Sequence, residues 1–160
     1  MVRYIVFVVA CLLLLVGCGL TPTATLLTGQ NVEFEETTTE YVGRLGVLVE
    51  QTEFGFASNW WTRTEENQHA YGVYVLQKLI NDPNMPILGG SYIGAQALVT
   101  VDLDNDGGKY GPILGTTVNI GGVEILTEFH YVWYNDALEA ALQEGTSDEY
   151  KIYVGPRFKF

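Results

Sequence analysis

The 160-residue sequence predicts an all-β protein: an eight-stranded antiparallel up-and-down barrel behind a short exported leader. Three observations predict it. Apolar and polar residues alternate with a period of two over several long segments, which is the strand signature. Those segments number eight, at 30–36, 41–50, 52–61, 68–80, 91–103, 109–118, 122–134 and 149–160. The sequence also carries eighteen glycines and twenty aromatic residues (ten Tyr, seven Phe, three Trp), a load that suits strands and turns.

The leader comes first in the chain. Arg3 precedes an unbroken apolar run from Ile5 to Val16. A membrane-spanning helix needs roughly 18 or more apolar residues, so this run is too short for a permanent span. Its charged start, short apolar core and small-residue exit are those of a secretory signal. Leu15-Val16-Gly17-Cys18 resembles the bacterial lipobox. That resemblance implies that residues 1–17 are removed and that Cys18 becomes a first residue carrying covalent diacylglycerol and acyl lipid. A plain signal peptide cut further on, for instance after Ala24, is the alternative. Gly19 in place of an aspartate implies transfer to the outer membrane. Cys11 is lost with the leader, leaving no thiol for a disulfide, a metal or a nucleophile. Residues 18–29 read as a lipidated tether, and 30–160 as the barrel domain.

The acidic balance excludes one class of partner. Without Arg3, seven basic residues face nineteen acidic ones, a net charge near −12. A surface that tracks nucleic-acid phosphates needs clustered Lys and Arg, so no nucleic-acid partner is expected.

The alternation is clearest near the C-terminus. From Val123 to Trp133 one face reads Val, Ile, Thr, Phe, Tyr, Trp, while Glu124, Glu128 and His130 share the other. In the final segment Tyr150, Ile152, Val154 and Phe158 oppose Lys151, Arg157 and Lys159. Leu45, Val47 and Val49 oppose Arg44 and Glu50; Phe54, Phe56 and Trp60 oppose Glu53 and Asn59; Ile93, Val99 and Val101 oppose Tyr92, Gln96 and Thr100. Apolar residues on one strand face and charges on the other are what a membrane barrel requires, with lipid outside and a polar lumen inside. Residues 70–80 are ambiguous in period and also fit a helix.

With these segments, the stretch from Gln30 to Phe160 resembles the small outer-membrane barrels of the OmpA/OmpX type. The resemblance is carried by strand count, by Gly122 to Tyr134 and by the closing Tyr150 to Phe160. The terminal phenylalanine, with aromatics at alternate positions before it, resembles the signal read by the barrel-assembly machinery. A lipobox departs from that family, most of whose members use an ordinary signal peptide. The resemblance implies outer-membrane lipid and lipopolysaccharide as surroundings and a non-enzymatic structural or surface-interaction role. It names no surface ligand.

Candidate site residues follow. Arg44, Glu50, Glu124, Glu128, Lys151, Arg157 and Lys159 form the expected set of lumen charges, with Glu124 and Glu128 facing the cations of the last segment. An eight-stranded barrel is just filled by side chains, so paired charges would plug it. Asp102, Asp104 and Asp106, followed by Gly107, copy the opening of a calcium loop. Ile113 stands where a bidentate glutamate should close the shell, and a turn rich in Asp, Asn and Gly needs no calcium; apart from this weak candidate and the lipid at Cys18, no cofactor is expected. Trp60, Trp61, Tyr131, Trp133 and Tyr134 are placed in an aromatic girdle. Two competing readings stand beside the membrane barrel. One is a lipid-tethered, lipocalin-like cup, which requires Phe129, Tyr131 and Trp133 to point inward. The other is a lipid A hydrolase: Phe56-Ala57-Ser58-Asn59 resembles the His-x-Ser-Asn motif of such barrels, but phenylalanine replaces the base.

Overall fold

The computed structural model describes residues 20–31, 39–63, 66–80, 82, 85, 90–100, 107–134 and 149–160. They form eight strands: β1 (Thr21–Asn31), β2 (Thr39–Val49), β3 (Thr52–Arg63), β4 (Glu66–Lys78), β5 (Tyr92–Thr100), β6 (Gly108–Ile120), β7 (Val123–Tyr134) and β8 (Glu149–Lys159). Each pairs antiparallel with its sequence neighbours, and β1 pairs with β8 to close the barrel. Closure removes the sheet edges that would otherwise expose unpaired backbone groups.

The expected tether is a strand. The sequence suggests a linker at 18–29 and a first strand at 30–36, yet β1 covers Thr21–Asn31 and pairs with β2 from Thr21↔Leu48 to Gln30↔Thr39. Thr23, Thr25 and Leu27 are buried while Leu26 is 55% exposed, a strand alternation written largely in threonine. Threonine is β-branched and favours strands. Pro22 is tolerated because it sits at the strand's start. Residues 32–36 lie outside the described residues.

Residues 70–78 are strand, not helix. β4 pairs with β3 from Thr52↔Gln77 to Arg63↔Glu66, with Tyr71, Val73 and Val75 exposed and Ala70, Tyr74 and Leu76 buried. The remaining segments agree with their expected positions to within a few residues.

At one end of the barrel the β2–β3 and β6–β7 connections are short turns, whereas the β4–β5 connection spans 79–91, longer than the tight turn expected there. Gly121 and Gly122 carry φ of 61° and 91°, the positive values a two-residue hairpin loop needs, and Asn119 Oδ1 accepts from Gly122 N–H. Glu50 makes the β2–β3 turn with φ 54°. It is exposed and does not belong to the lumen set, because the turn ends the alternation that began at Arg44. Both ends of the described chain lie at this end too, where Phe160 N–H donates to Pro22 O at 3.0 Å.

Two seams are interrupted in the same way. The β6–β7 register runs from Lys109↔Tyr134 and Tyr110↔Trp133 to Ile113↔His130, skipping Gly111-Pro112. The β1–β8 register skips Gly155-Pro156 between Thr25↔Arg157 and Thr28↔Val154. Proline has no N–H to give a ladder, and at each glycine a Cβ would strike a neighbouring carbonyl oxygen, Tyr131 O or Leu26 O. Gly155→Ala is therefore expected to push β1 away from β8 and destabilise the barrel by about 1–3 kcal/mol, as overpacking does. The check is the temperature at which the extracted barrel unfolds, compared with the parent.

Candidate functional site

Strand alternation turns one side chain in two toward the lumen, and the described lumen is filled with charge in three tiers. At the turn end, Arg157 on β8 bridges two carboxylates: its Nη1 lies 2.7 Å from Glu53 Oε2 on β3, and its Nε 2.6 Å from Glu124 Oε2 on β7. Thr23 and Tyr74 donate to Glu53 Oε1 at 3.0 and 2.8 Å. Lys159 closes this tier on Glu124 Oε1 at 2.5 Å, at the exposed lip of the barrel.

The middle tier is the most enclosed. Arg44 on β2 makes a bidentate pair with Glu128 on β7, at 2.6 and 2.8 Å, with both side chains 0% exposed. Tyr92 donates to Glu128 Oε1 at 2.7 Å, and His130 Nε2 lies 2.6 Å from Glu128 Oε2. A carboxylate only accepts, so Nε2 carries the proton. Gln96 Nε2 stands 3.1 Å from His130 Nδ1, so both ring nitrogens have side-chain partners. The Arg44 guanidinium also lies 5.0 Å from the Tyr74 ring centre.

The third tier lies toward the other end. Glu40 on β2 takes Lys151 from β8 and Lys109 from β6, the latter at 3.4 Å. Asn59 and Tyr153 donate to Glu40 Oε2 at 3.0 and 2.6 Å. Lys109 Nζ also sits 4.1 Å from the Trp61 ring centre, and Lys151 pairs with Glu149 at 2.7 Å.

Of the expected lumen charges, Arg44, Glu128, Lys151 and Arg157 are buried inside, and Glu124 and Lys159 pair at the lip. The expected pairing differs, however. Only Glu124 meets cations of the last strand; Glu128 reaches across to Arg44, and Lys151 to Glu40. Glu40, Glu53, Lys109 and Glu149 join the network, and none of the four is among the site residues expected from sequence. Their signal was a charge on the inward parity of an alternating segment. Cys18 and the candidate calcium ligands Asp102, Asp104 and Asp106 lie outside the described residues.

The chemistry of this interior is that of buried ion pairs. Among the described residues, five cations (Arg44, Lys109, Lys151, Arg157, Lys159) pair with five carboxylates (Glu40, Glu53, Glu124, Glu128, Glu149). Ser58, the serine of the hydrolase-like motif, points to the outer wall, and its Oγ makes no hydrogen bond to a base.

The outer wall is the inverse of the lumen. Leu45, Phe54, Phe56, Val73, Val99, Leu114, Ile152 and Phe158 are exposed by 42% or more, and they continue from strand to strand around the barrel. Phe129 is 40% exposed and packs on Tyr150 at 5.7 Å between ring centres, while Tyr131 lies 4.9 Å from Trp133 and 4.8 Å from Tyr150. Phe129, Tyr131 and Trp133 thus have the outward parity, opposite to what a cup requires. Trp60 also faces out. Trp61 and Tyr134, placed with it in the girdle by sequence, face in, since each is one residue out of step: Trp61 holds Lys109, and Tyr134 donates to Glu149 at 2.6 Å.

No protein-family model matches the chain, and no curated protein matches it in sequence. Among solved structures it is similar to the crystal structure of Neisserial surface protein A, with a TM-score of 0.58 and 12% identity over 88% of this chain and 96% of that one. The two share a fold. At that identity the likeness speaks for the eight-stranded barrel alone.

Proposed function

We propose that this chain is a lipid-anchored outer-membrane β-barrel with a structural or surface-interaction role and no catalytic one. The observation that carries the reading is the inversion of polarity. Soluble proteins rarely expose a contiguous apolar patch larger than a few hundred Å², whereas here aliphatic and aromatic side chains form a continuous outer band around a charged lumen. Strands of nine to thirteen residues are long enough to cross a hydrocarbon core when tilted. Closure satisfies the strand backbone internally, as a bilayer demands. Tyr41, Trp60, Tyr71, Tyr110, Trp133 and Tyr150 cluster on the outer wall toward the end opposite the termini, the disposition of an interfacial aromatic girdle.

With the termini on the periplasmic side, the connections at the other end face outward. By sequence they carry eleven acidic residues and no Lys or Arg: three in 32–38, one in 64–65, three in 101–106 and four in 135–148. Such a rim favours a basic partner or bridging cations. The packed lumen supports neither a steady pore nor an apolar ligand cup.

Gel mobility of the membrane-extracted protein, boiled against unboiled, tests the reading. A closed membrane barrel stays folded in detergent and migrates differently until heated. Release of the body into buffer after removal of the lipid, with no shift on boiling, would overturn it. Phe129→Arg is expected to cost roughly 2–4 kcal/mol if that position lies near the bilayer midplane and to block assembly, whereas Ile120→Arg, at the rim end of β6, should cost about 0–1 kcal/mol. Equal tolerance of the two substitutions would argue for a water-exposed wall.

A further inference from the structure

A groove of about 660 Å³ opens on the outer wall over β1 to β4. Its floor follows from the register. Leu26 pairs with Gly43, Gly43 with Ser58, and Ser58 with Tyr71, so two small residues sit side by side between large ones. Leu45 and Phe56 wall it on one side, and the Trp60 ring leans over Gly43, where a Cβ would approach within 2.9 Å. Phe158 on β8 borders it beside Ala24. The lining is almost wholly apolar, and Ser58 Oγ lies buried in it without a hydrogen bond.

We propose that this groove holds the acyl chains attached to Cys18, so that the protein's own lipid packs along its wall. The inference rests on the outer-membrane lipoprotein reading above and goes beyond it by assigning the lipid a seat. Two facts point to this occupant. Cys18 stands three residues before Thr21, the first residue of β1, and β1 itself forms one edge of the groove through Ala24, Thr25 and Leu26. The heights also agree. At about 3.3 Å per residue, Ala24 to Leu26 lie roughly 10–17 Å along β1 from Thr21. An acyl chain inserted from the same side spans half of a ~30 Å hydrocarbon core, about 15 Å. A lipid that enters the leaflet beside Thr21 therefore reaches the groove without crossing the wall. Seating it there would fill the gap over Gly43 and Ser58, flanked by Leu26 and Tyr71 and walled by Leu45 and Phe56, and would tie the first strand to β2, β3 and β4.

The test places the photocrosslinker p-benzoylphenylalanine in place of Phe56, at the groove, and separately in place of Leu114 on the far wall, in full-length protein in native membranes. Irradiation and digestion should give a β3 peptide joined through an acyl chain to the N-terminal lipopeptide, at least tenfold more abundant from position 56 than from position 114. Adducts to free phospholipid only, crosslinks between two copies, an N-terminal peptide without lipid, or equal yields at both positions would each overturn the proposal. Boiled and unboiled mobility of the same samples separates the two levels. A heat-shifting barrel without the lipopeptide adduct fails this inference alone, whereas loss of the shift fails the membrane-barrel reading beneath it.

Discussion

Arg44→Met is expected to destabilise the barrel by about 3–5 kcal/mol, among the largest effects of any single substitution in the lumen. The guanidinium and the Glu128 carboxylate are both fully buried and joined by two hydrogen bonds of 2.6 and 2.8 Å. Removing one partner leaves a charge in a site that cannot hydrate it, and breaking a buried pair typically has that magnitude. Tyr92 and His130 would still donate to Glu128, but neither need carry a positive charge, so they offset only part of the loss. The double substitution Arg44→Met with Glu128→Leu should recover most of the stability, because apolar replacement of a whole buried pair is often close to neutral. Unfolding in urea from lipid vesicles measures both. A single mutant as stable as the parent would mean that water reaches the pair and that the lumen is not sealed there.

These pairs also show where sequence reading stops. The inward position of Arg44, Glu128, Lys151 and Arg157 was legible because alternation with a period of two assigns faces without any knowledge of the fold. Their partners were not. Arg44 and Glu128 are 84 residues apart and meet across the lumen, and Lys151 reaches Glu40 over 111 residues. Which inward residues share a level depends on the stagger that accumulates around a closed barrel, and one strand's pattern does not contain it. The expectation that neighbouring strands pair their charges held only for Glu124, which meets its direct register partner Arg157 and also Lys159.

The first strand was hidden for a different reason. Its inward face uses Thr23 and Thr25, whose hydroxyls suit a lumen but make the segment look like a polar linker. Thr23 donates to Glu53, so the polarity that disguised the strand is part of the network it serves. Glu50 erred in the opposite direction. Extending the alternation by one more pair of residues past Leu48 carried it into a turn, where a positive φ ends the strand. Trp61 and Tyr134 show that aromatic character alone does not choose a side. Parity does, and it sends both inward to lysines.

Glu40→Gln should be comparably damaging, and its effect should spread further around the wall. Glu40 is the shared counter-ion of Lys109 and Lys151, from β6 and β8, and it accepts from Asn59 on β3 and Tyr153 on β8. One carboxylate thus draws four strands together, its own included. Glutamine keeps the shape and one acceptor oxygen but removes the charge that offsets two buried ammonium groups. Lys151 retains Glu149 at 2.7 Å, while Lys109 is left with the Trp61 ring at 4.1 Å. A cation–π contact contributes about 0.5–2 kcal/mol, less than the roughly 3–5 kcal/mol expected when a buried pair loses one member. The deficit therefore falls on Lys109, and Lys109→Met in the Glu40→Gln background should restore stability whereas Lys151→Met should restore less. The temperature at which unboiled protein converts to the boiled mobility reads out all four forms. Equal rescue by the two lysine substitutions would show that Glu149 does not hold Lys151 and that the tier acts as one undivided cluster.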